Sequence, residues 1–234
     1  METSVKTLRV DGAETRTRLK EAAQRLFAER GIDGVAVQDI VTAAGQRNNA
    51  SLRYYFGTKI ELARELVVDG ARLIDERRQA MVDALEKHGP PTALRGILEA
   101  LTIPVLELPE KTGQASYIRM VANLQLNNRA FLREALADTW NVGYKRCVAH
   151  LTRLLPRIPK PILEQRISLA GIYGNAVWAA RETALHADTP SELWSKAYTI
   201  SNVLDTLQFL VESSPSEATL TLLPKTRQSA GATA

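Results

Sequence analysis

Residues 43–59, which read AAGQRNNASLRYYFGTK, decide how the rest of this chain can be organised. Gly45 and four polar residues follow a short apolar helix pattern, and three aromatic residues then stand in a row. A glycine just past the last apolar residue ends a helix, whereas an asparagine before the next apolar residue can begin one. The stretch therefore predicts two short helices joined by a tight turn.

Helical spacing continues on both sides of this turn. Five apolar residues before Gly31 recur at the i, i+3, i+4, i+7 and i+8 positions of one buried helix face: Leu19, Ala22, Ala23, Leu26 and Phe27. Three more helices are predicted before the HGPP break at 88–91, over 37–44, from Asn48 or Asn49 to Phe56, and onward from the N-cap Thr58. The turn thus lies within a helical segment.

The chain beyond the break is also predicted to be helical, and no strand pattern competes with this interpretation. Five further helices are predicted, at about 92–108, 114–126, 129–155, 161–186 and 190–213. Residues 214–234 are rich in Ser, Thr, Ala and Gly, which predicts a flexible C-terminal tail. The fold class is therefore predicted to be all-α.

Composition and charge restrict the class of protein. Hydrophobic residues make up 45% of the 234 residues and charged residues 24%, which is typical of a soluble globular chain. The net charge of +4 permits an anionic partner without demonstrating one.

Cys147 is the one cysteine, so no internal disulfide forms, and the N-terminus lacks a secretory pattern. The longest charge-free apolar run, 167–180, is shorter than the roughly 18 residues of a membrane span, so a cytoplasmic protein without membrane contact is expected.

The opening stretch has the arrangement of a helix-turn-helix, whose second helix can enter the DNA major groove. Arg47, Asn48, Asn49 and Ser51 stand at the start of that helix, and such side chains can read base edges. Between Asp39 and Glu61 there are three basic residues and no acidic one, which suits a phosphate backbone. A polar turn on an ordinary helical bundle is the alternative interpretation.

Two segments of the sequence resemble the tetracycline-repressor (TetR) family of bacterial transcription regulators. They are AAQRLFAERGIDGVAVQDIVTAAG at 22–45 and LRYYFGTKIELARELV at 52–67, and the total length is also typical of that family. The resemblance implies a three-helix DNA-binding module, placed here at 10–57. It also implies a larger helical domain, at 58–213, that binds a small molecule and dimerises.

The resemblance also assigns roles to individual residues. Gln38 matches a base-contacting position at the start of the second helix, and Asn49 and Ser51 match readers on the recognition helix. A further three residues match phosphate-contacting positions: Arg53, Tyr55 and Lys59. Arg47 and Asn48 complete the predicted DNA-binding set.

Three features depart from the family pattern. The turn between Gly45 and Leu52 has one additional residue, which blurs the assignment of its polar side chains. Ala36 stands where a Thr or Ser usually caps the second helix, so that cap is expected to be absent or to be supplied by another group such as Asp33. Arg53 replaces the usual tyrosine, which exchanges a neutral hydroxyl for a fixed charge and predicts a stronger salt dependence of DNA binding.

The larger domain is predicted to hold a mostly apolar effector in a pocket with few fixed charges nearby. Six residues are predicted to bind it: Tyr117, Met120, Asn123, Trp140, Tyr144 and Trp178. An ordinary helical core has the same makeup, so packing is the competing interpretation for each of them.

A homodimer is predicted to form through helices 161–186 and 190–213. Small residues on the first helix allow close approach of another helix, and apolar residues on the second complete a four-helix seam: Ala170, Gly171, Gly174, Ala179, Val203, Leu207 and Leu210. An intramolecular contact is the alternative. A two-fold pair would span adjacent major grooves about 34 to 36 Å apart, which predicts a palindromic DNA operator.

Catalytic and metal-binding patterns are missing from the sequence. His88, His150 and His186 lie far apart, and neither a Gly-rich phosphate loop nor a G-x-S-x-G motif occurs. The chain is therefore predicted to be a non-enzymatic regulator without a cofactor, most simply a repressor released from DNA by its effector. Two alternatives stay open: an all-α enzyme or carrier for an apolar molecule, and a DNA-binding protein without an effector.

Overall fold

A computed structural model describes residues 2–112, 116–136, 139–187, 189 and 191–224 of the chain. Within these ranges the regular structure is entirely α-helical, without a strand, and comprises eleven helices. The predicted all-α fold class, with a helix-turn-helix module followed by a larger helical part, is confirmed.

The helices follow one another along the chain with short connections. The first four are α1 (Glu2–Arg30), α2 (Val37–Ala43), α3 (Ala50–Phe56) and α4 (Lys59–Glu86). The other seven are α5 (Leu94–Thr112), α6 (Tyr117–Asn127), α7 (Arg129–Leu136), α8 (Val142–Leu154), α9 (Lys160–Leu185), α10 (Thr199–Glu212) and α11 (Glu217–Thr221). Helix α1 begins earlier than the apolar pattern predicted.

The N-terminal module is built around apolar residues that the helical spacing placed inward. Leu19 and Phe27 of α1, Ile40 of α2 and Leu52 of α3 are each at most 2% exposed. Gly45 ends the second helix with a φ of 69°, in the left-handed region that other residues adopt only with strain. The turn geometry therefore follows from the local sequence.

A cluster of ion pairs fixes α1 against α4. Arg16 Nη2 and Lys20 Nζ donate to Glu65 at 2.6 and 2.8 Å, and Lys20 also bonds to Asp69. Burial opposes ionisation of Glu65, but the hydrogen bonds and charges of Lys20 and Arg16 outweigh it and lower the pKa of this carboxyl. The charges of Arg16 and Lys20 therefore join α1 to α4 and do not form a free basic surface.

Helix α6 packs across α4 at a glycine. A Cβ added to Gly70 would lie 2.2 Å from the ring carbon Cε2 of Tyr117, so only glycine allows this approach. The Tyr117 hydroxyl donates to the Val67 carbonyl at 3.0 Å. Helix α6 also contacts α1, where Gln24 Nε2 donates to Ser116 Oγ at 3.2 Å. The core of the N-terminal module is therefore continuous with that of the larger helical part.

The helix predicted over 129–155 is wrong, because the structure contains two helices there, α7 and α8. The second begins next to α4, where a Cβ on Gly143 would lie 3.1 Å from the Gln79 backbone nitrogen. The Gly143 N–H donates to the buried Asp75 Oδ1 at 2.9 Å. This contact fixes the start of α8 against the distant helix α4, and no local pattern in the sequence indicates it.

The helix predicted over 190–213 begins later than expected, because α10 starts at Thr199. The residues from 191 to 198 form turns, and Thr199 Oγ1 donates to the Leu193 carbonyl at 3.1 Å. Within the predicted tail at 214–234, α11 is a short helix whose N-cap Ser216 accepts from the Thr219 N–H at 3.2 Å. The remainder of that tail, 225–234, lies outside the described residues.

Candidate nucleic-acid interface and ligand cavity

The turn before α3 is held by Asn48. Its Oδ1 accepts from the Ala50 N–H at 2.8 Å, and its carbonyl accepts from Ser51 Oγ at 2.8 Å. Of the two asparagines that could begin the helix, Asn48 therefore supplies the side-chain cap. Asn49 is exposed, and its side-chain amide makes no hydrogen bond to any residue that the structure describes. Asn49 is consequently the one with its full donor and acceptor capacity left for a ligand.

The outer surface of the turn and α3 carries two arginines and a tyrosine. Arg47 and Arg53 are exposed and form no ion pair with the described residues. Tyr54 is 82% exposed and was not predicted as a site residue, although helical spacing from the buried Leu52 turns it outward. Tyr55, which was predicted, is half-buried and packs on the module core, with its ring centroid 4.9 Å from that of Tyr54.

The other predicted DNA contacts are more constrained. Lys59 Nζ donates to the carbonyls of Ile32 and Val35 at 2.7 and 2.6 Å, so its ammonium closes the loop between α1 and α2. Gln38 is exposed on α2, and its Nε2 donates to Thr42 Oγ1 at 3.1 Å one turn further along. Thr42 therefore shares the outer face of α2 with Gln38. Thr42 was not selected from the sequence as a candidate DNA contact.

The start of α2 is capped by its own third residue. Ala36 has no side-chain oxygen, but its N–H donates to Asp39 Oδ2 at 3.1 Å. The side-chain cap at Ala36 is absent, which was one of the two expected outcomes. Asp33 does not replace it, because Asp33 accepts from Asn128 Nδ2 at 3.3 Å. The hydrogen bond from the Ala36 N–H to Asp39 is one of the two bonds of a capping box. It compensates in part for the Thr or Ser that usually stands at position 36.

The two acidic residues that flank this segment in the sequence, Asp39 and Glu61, are already paired. Asp39 lies 3.7 Å from Arg30, and Glu61 lies 3.7 Å from Arg64. The two arginines of the turn and α3 therefore keep their positive charge unneutralised by the described residues. An exposed face with free guanidinium, amide and phenol groups has the chemistry of a DNA-contacting surface.

A cavity of about 460 Å³ lies in the larger part of the protein, lined by residues of every helix from α4 to α10. Four of the predicted ligand-binding residues line it: Tyr117, Trp140, Tyr144 and Trp178. Met120 and Asn123 do not, since Met120 is fully buried in the core shared with α1, and Asn123 Oδ1 lies against Gly31. Both belong to the face of α6 that packs on the N-terminal module.

The cavity lining contains more fixed charge than the sequence suggested. Three arginines contribute to it, Arg78, Arg129 and Arg133, whereas its described lining contains neither Asp nor Glu. The remaining lining is mostly aliphatic and aromatic. Among the described residues, no cluster of three or more His, Cys, Asp or Glu side chains is placed to hold a metal ion.

Of the seven residues predicted to form the dimer seam, three are buried within their own chain, whereas Gly171 is exposed. Gly174 is buried and faces the cavity, and Val203 and Leu207 are buried against Trp178. The outer face of α9 and α10 lies on the other side of these helices and carries exposed apolar residues, including Leu169, Ala176, Ala180 and Phe209.

In the described part of the chain, no helix is both long and apolar enough to span a bilayer.

Comparisons with known proteins agree with this architecture. Residues 19–66 match the family model described as bacterial regulatory proteins, tetR family. A comparison with curated proteins gave no match. A solved structure from Shewanella sp. PV-4, assigned to the tetR family of transcription regulators, is similar with a TM-score of 0.52 and 15% identity over 82% of this chain and 95% of that chain.

Two other solved structures are similar at lower TM-scores. The TetR family transcriptional regulator PfmR from Thermus thermophilus has a TM-score of 0.46 and 21% identity, over 83% of this chain and 97% of that one. A regulator assigned to the same family from Mesorhizobium loti has a TM-score of 0.46 and 17% identity, over 86% of this chain and 96% of that one.

The helix-turn-helix, its exposed polar face and the all-α body together define a DNA-binding transcription regulator. The match of residues 19–66 to the tetR family model confirms the resemblance found in the sequence.

Proposed function

We propose that the protein is a homodimeric repressor that binds a palindromic operator and leaves it when a largely apolar small molecule enters the cavity. Ligand binding shifts the population toward a conformation in which the two recognition helices no longer match the operator spacing. The observation that carries the proposal is the exposed face of α3 and its turn, on which Arg47, Asn49 and Arg53 keep their polar groups unpaired within the described chain.

The dimer is proposed to form through the outer face of α9 and α10. Phe209 is 70% exposed and Leu169 is 50% exposed, at the same end of this antiparallel helix pair. At the other end, Ala176 and Ala180 line a groove together with Tyr198, and small residues there permit close approach of a second helix. The sequence from 167 to 180 carries no charge, which is typical of a buried interface.

A connection between cavity and DNA-binding module is provided by α7. One side of this helix lines the cavity, while Glu134 on another side accepts from Arg64 of α4 at 3.0 Å. The Arg64 guanidinium also lies 5.5 Å from the centre of the Phe131 ring. Just before α7, Asn128 bonds to Asp33 in the loop between α1 and α2. A shift of α7 on ligand binding would therefore reach the N-terminal end of α4 and the module itself.

The cavity distinguishes this proposal from a DNA-binding protein without an effector. A body that served only for dimerisation would be expected to have a closed and fully packed interior. The cavity of about 460 Å³ instead falls within the range of small-molecule sites. This volume supports the ligand-responsive form of the function.

The proposed DNA contact is tested by the salt dependence of an Arg53→Ala variant. We expect binding to a selected genomic fragment and to a random duplex to weaken by a similar factor, because a phosphate contact carries no sequence information. The slope of log affinity against log salt should fall by about one unit for each lost phosphate contact. Fluorescence anisotropy of labelled duplexes over a series of salt concentrations measures both quantities.

The matched control is Arg72→Ala, which removes the same charge from α4, where Arg72 pairs with Glu76 at 3.1 Å. This variant should bind DNA with the affinity and salt slope of the unmodified protein. An unchanged slope in Arg53→Ala, or the same change in both variants, would mean that α3 does not lie on the phosphate backbone.

A further inference from the structure

The chemistry of the cavity lining identifies the class of effector, an inference that rests on the ligand response proposed above. We propose that the cavity takes an amphipathic anion, whose carboxylate or phosphate group binds between Arg129 and Arg133 and whose apolar tail fills the interior. Both arginines belong to α7, the helix that connects the cavity to the DNA-binding module.

Helix α7 turns one face toward the cavity. The four α7 residues that line the cavity are Arg129, Leu132, Arg133 and Leu136, at the i, i+3, i+4 and i+7 positions of a helix. Residues four apart on a helix are neighbours, with their Cβ atoms about 5 to 6 Å apart. The two guanidinium groups can therefore reach a single anionic group, and the two leucines stand beside them as the beginning of an apolar channel.

Among the described residues, no acidic side chain neutralises Arg129 or Arg133. Both are exposed, and neither forms an ion pair or a hydrogen bond with a residue in the described ranges. Glu134 of the same helix is engaged by Arg64. Two like charges four residues apart destabilise a helix, and α7 has no acidic residue in its first turn to offset them. An anion that bridges Arg129 and Arg133 removes this repulsion.

The third arginine of the lining is already occupied. Arg78 is buried, and its Nε and Nη2 donate to the carbonyls of Ala100 and Leu101 at 3.3 and 3.0 Å. Burial lowers the pKa of Arg78, and the carboxylate of the nearby buried Asp75 acts against that effect. Arg78 therefore serves mainly to join α4 and α5, which leaves the anionic group to the α7 pair.

The rest of the cavity suits a hydrocarbon tail. Aliphatic side chains from several helices line it, among them Ile74, Leu98, Val105, Ile167, Leu207 and Val211. Charged groups of the described lining are confined to the three arginines. A ligand with one anionic end and one apolar end matches this division, whereas a neutral apolar molecule leaves the α7 arginines without a partner.

Tryptophan fluorescence can test the proposal directly, since two of the three tryptophans, Trp140 and Trp178, line the cavity. The probes share a twelve-carbon chain and differ in the polar group: dodecanoate, dodecyl phosphate, 1-dodecanol and dodecyltrimethylammonium, each below its micelle-forming concentration. We expect at least one of the two anions to bind about 10-fold or more tightly than the alcohol, and the cation to bind most weakly. A preference between the two anions identifies the headgroup.

The double variant Arg129→Gln/Arg133→Gln should lower the affinity for the preferred anion about 10- to 30-fold and leave that for dodecanol unchanged. The control Arg157→Gln/Lys160→Gln removes two charges outside the cavity and should bind all four probes as the unmodified protein does. Circular dichroism of each variant verifies that the helical content is retained.

Equal affinity for the anions and the alcohol, or equal losses in both double variants, would overturn the proposal. Operator binding measured in the same samples separates this outcome from failure of the proposed function. A neutral probe that releases DNA as well as an anion does would refute the anionic effector and leave the ligand response intact. Preferential binding of an anion without any change in DNA affinity would support the assigned ligand class and refute the ligand response.

Discussion

Phe209→Glu is expected to convert the protein to a monomer and to weaken binding to its operator roughly 100-fold or more. Phe209 is 70% exposed on α10, on the face proposed to meet a second subunit. In a two-fold interface each substitution acts twice, and burying a phenylalanine side chain is worth about 1.5 to 3 kcal/mol. Two glutamates would lose this burial and place two charges in an otherwise apolar interface.

The matched control for the dimer prediction is Leu126→Glu. Leu126 is 71% exposed on α6, so the substitution places the same charge at an equally exposed apolar position on another helix. Sedimentation equilibrium should show a dimer for this control and a monomer for Phe209→Glu, with similar helical content in both. A dimeric Phe209→Glu protein, or dissociation of the control alone, would move the interface away from α9 and α10.

Gly70→Ala is expected to destabilise the protein by about 2 to 3 kcal/mol, although alanine is the better helix former. The added Cβ would lie 2.2 Å from the Tyr117 ring, so that ring must move within a packed core. Movement also disturbs the hydrogen bond from the Tyr117 hydroxyl to Val67. Urea denaturation followed by circular dichroism measures the free energy of unfolding.

Gly171→Ala is the opposite case and serves as the control. Gly171 also lies inside a helix, but a Cβ at this position meets no atom of the described residues within 4 Å. The same substitution should therefore stabilise the protein by up to about 1 kcal/mol through helix propensity. If Gly70→Ala and Gly171→Ala changed the free energy of unfolding in the same direction and by the same amount, this result would contradict the packing described at the crossing of α4 and α6.

The helix-turn-helix could be predicted from the sequence because its signals are local. Gly45 and Gly57 mark the ends of two short helices, and both have the positive φ that ends a helix. The predicted N-cap Thr58 accepts from the Glu61 N–H at 3.1 Å. Leu52 and Phe56 are buried, which follows from their spacing. Each of these features depends on residues within one or two turns.

The larger part was harder to predict because its helices are shaped by distant contacts. The break between α7 and α8 coincides with the approach of Gly143 to Gln79 of α4, a residue far earlier in the chain. The sequence also could not show which face of α9 and α10 is free to form a dimer interface. Periodicity indicates that Gly174 and Val203 lie on packed faces, but it cannot tell whether the partner helix belongs to the same chain.

Individual candidate site residues differ in the same way, since some have a local sequence signal and others do not. Asn49, Arg47 and Arg53 could be selected because helix position and residue type coincide. Tyr54 was not selected, although its position two residues after the buried Leu52 indicates that its ring turns outward. The two α7 arginines that are proposed to bind the anion were not selected. The sequence predicted one long helix over 129–155, and this prediction did not indicate that both arginines face the cavity.

Selection of bound fragments from genomic DNA, followed by affinity measurements on the enriched sequence, tests the central claim of a dimeric, sequence-specific DNA-binding protein most directly. The enriched fragments should share a palindrome whose half-sites are centred about 10 to 10.5 base pairs apart or a multiple of that spacing. Asn49→Ala should cost about 1 to 3 kcal/mol on this palindrome and little on a shuffled duplex of the same composition. Enrichment without a shared palindrome, or equal losses by Asn49→Ala on both duplexes, would contradict recognition of an operator through α3.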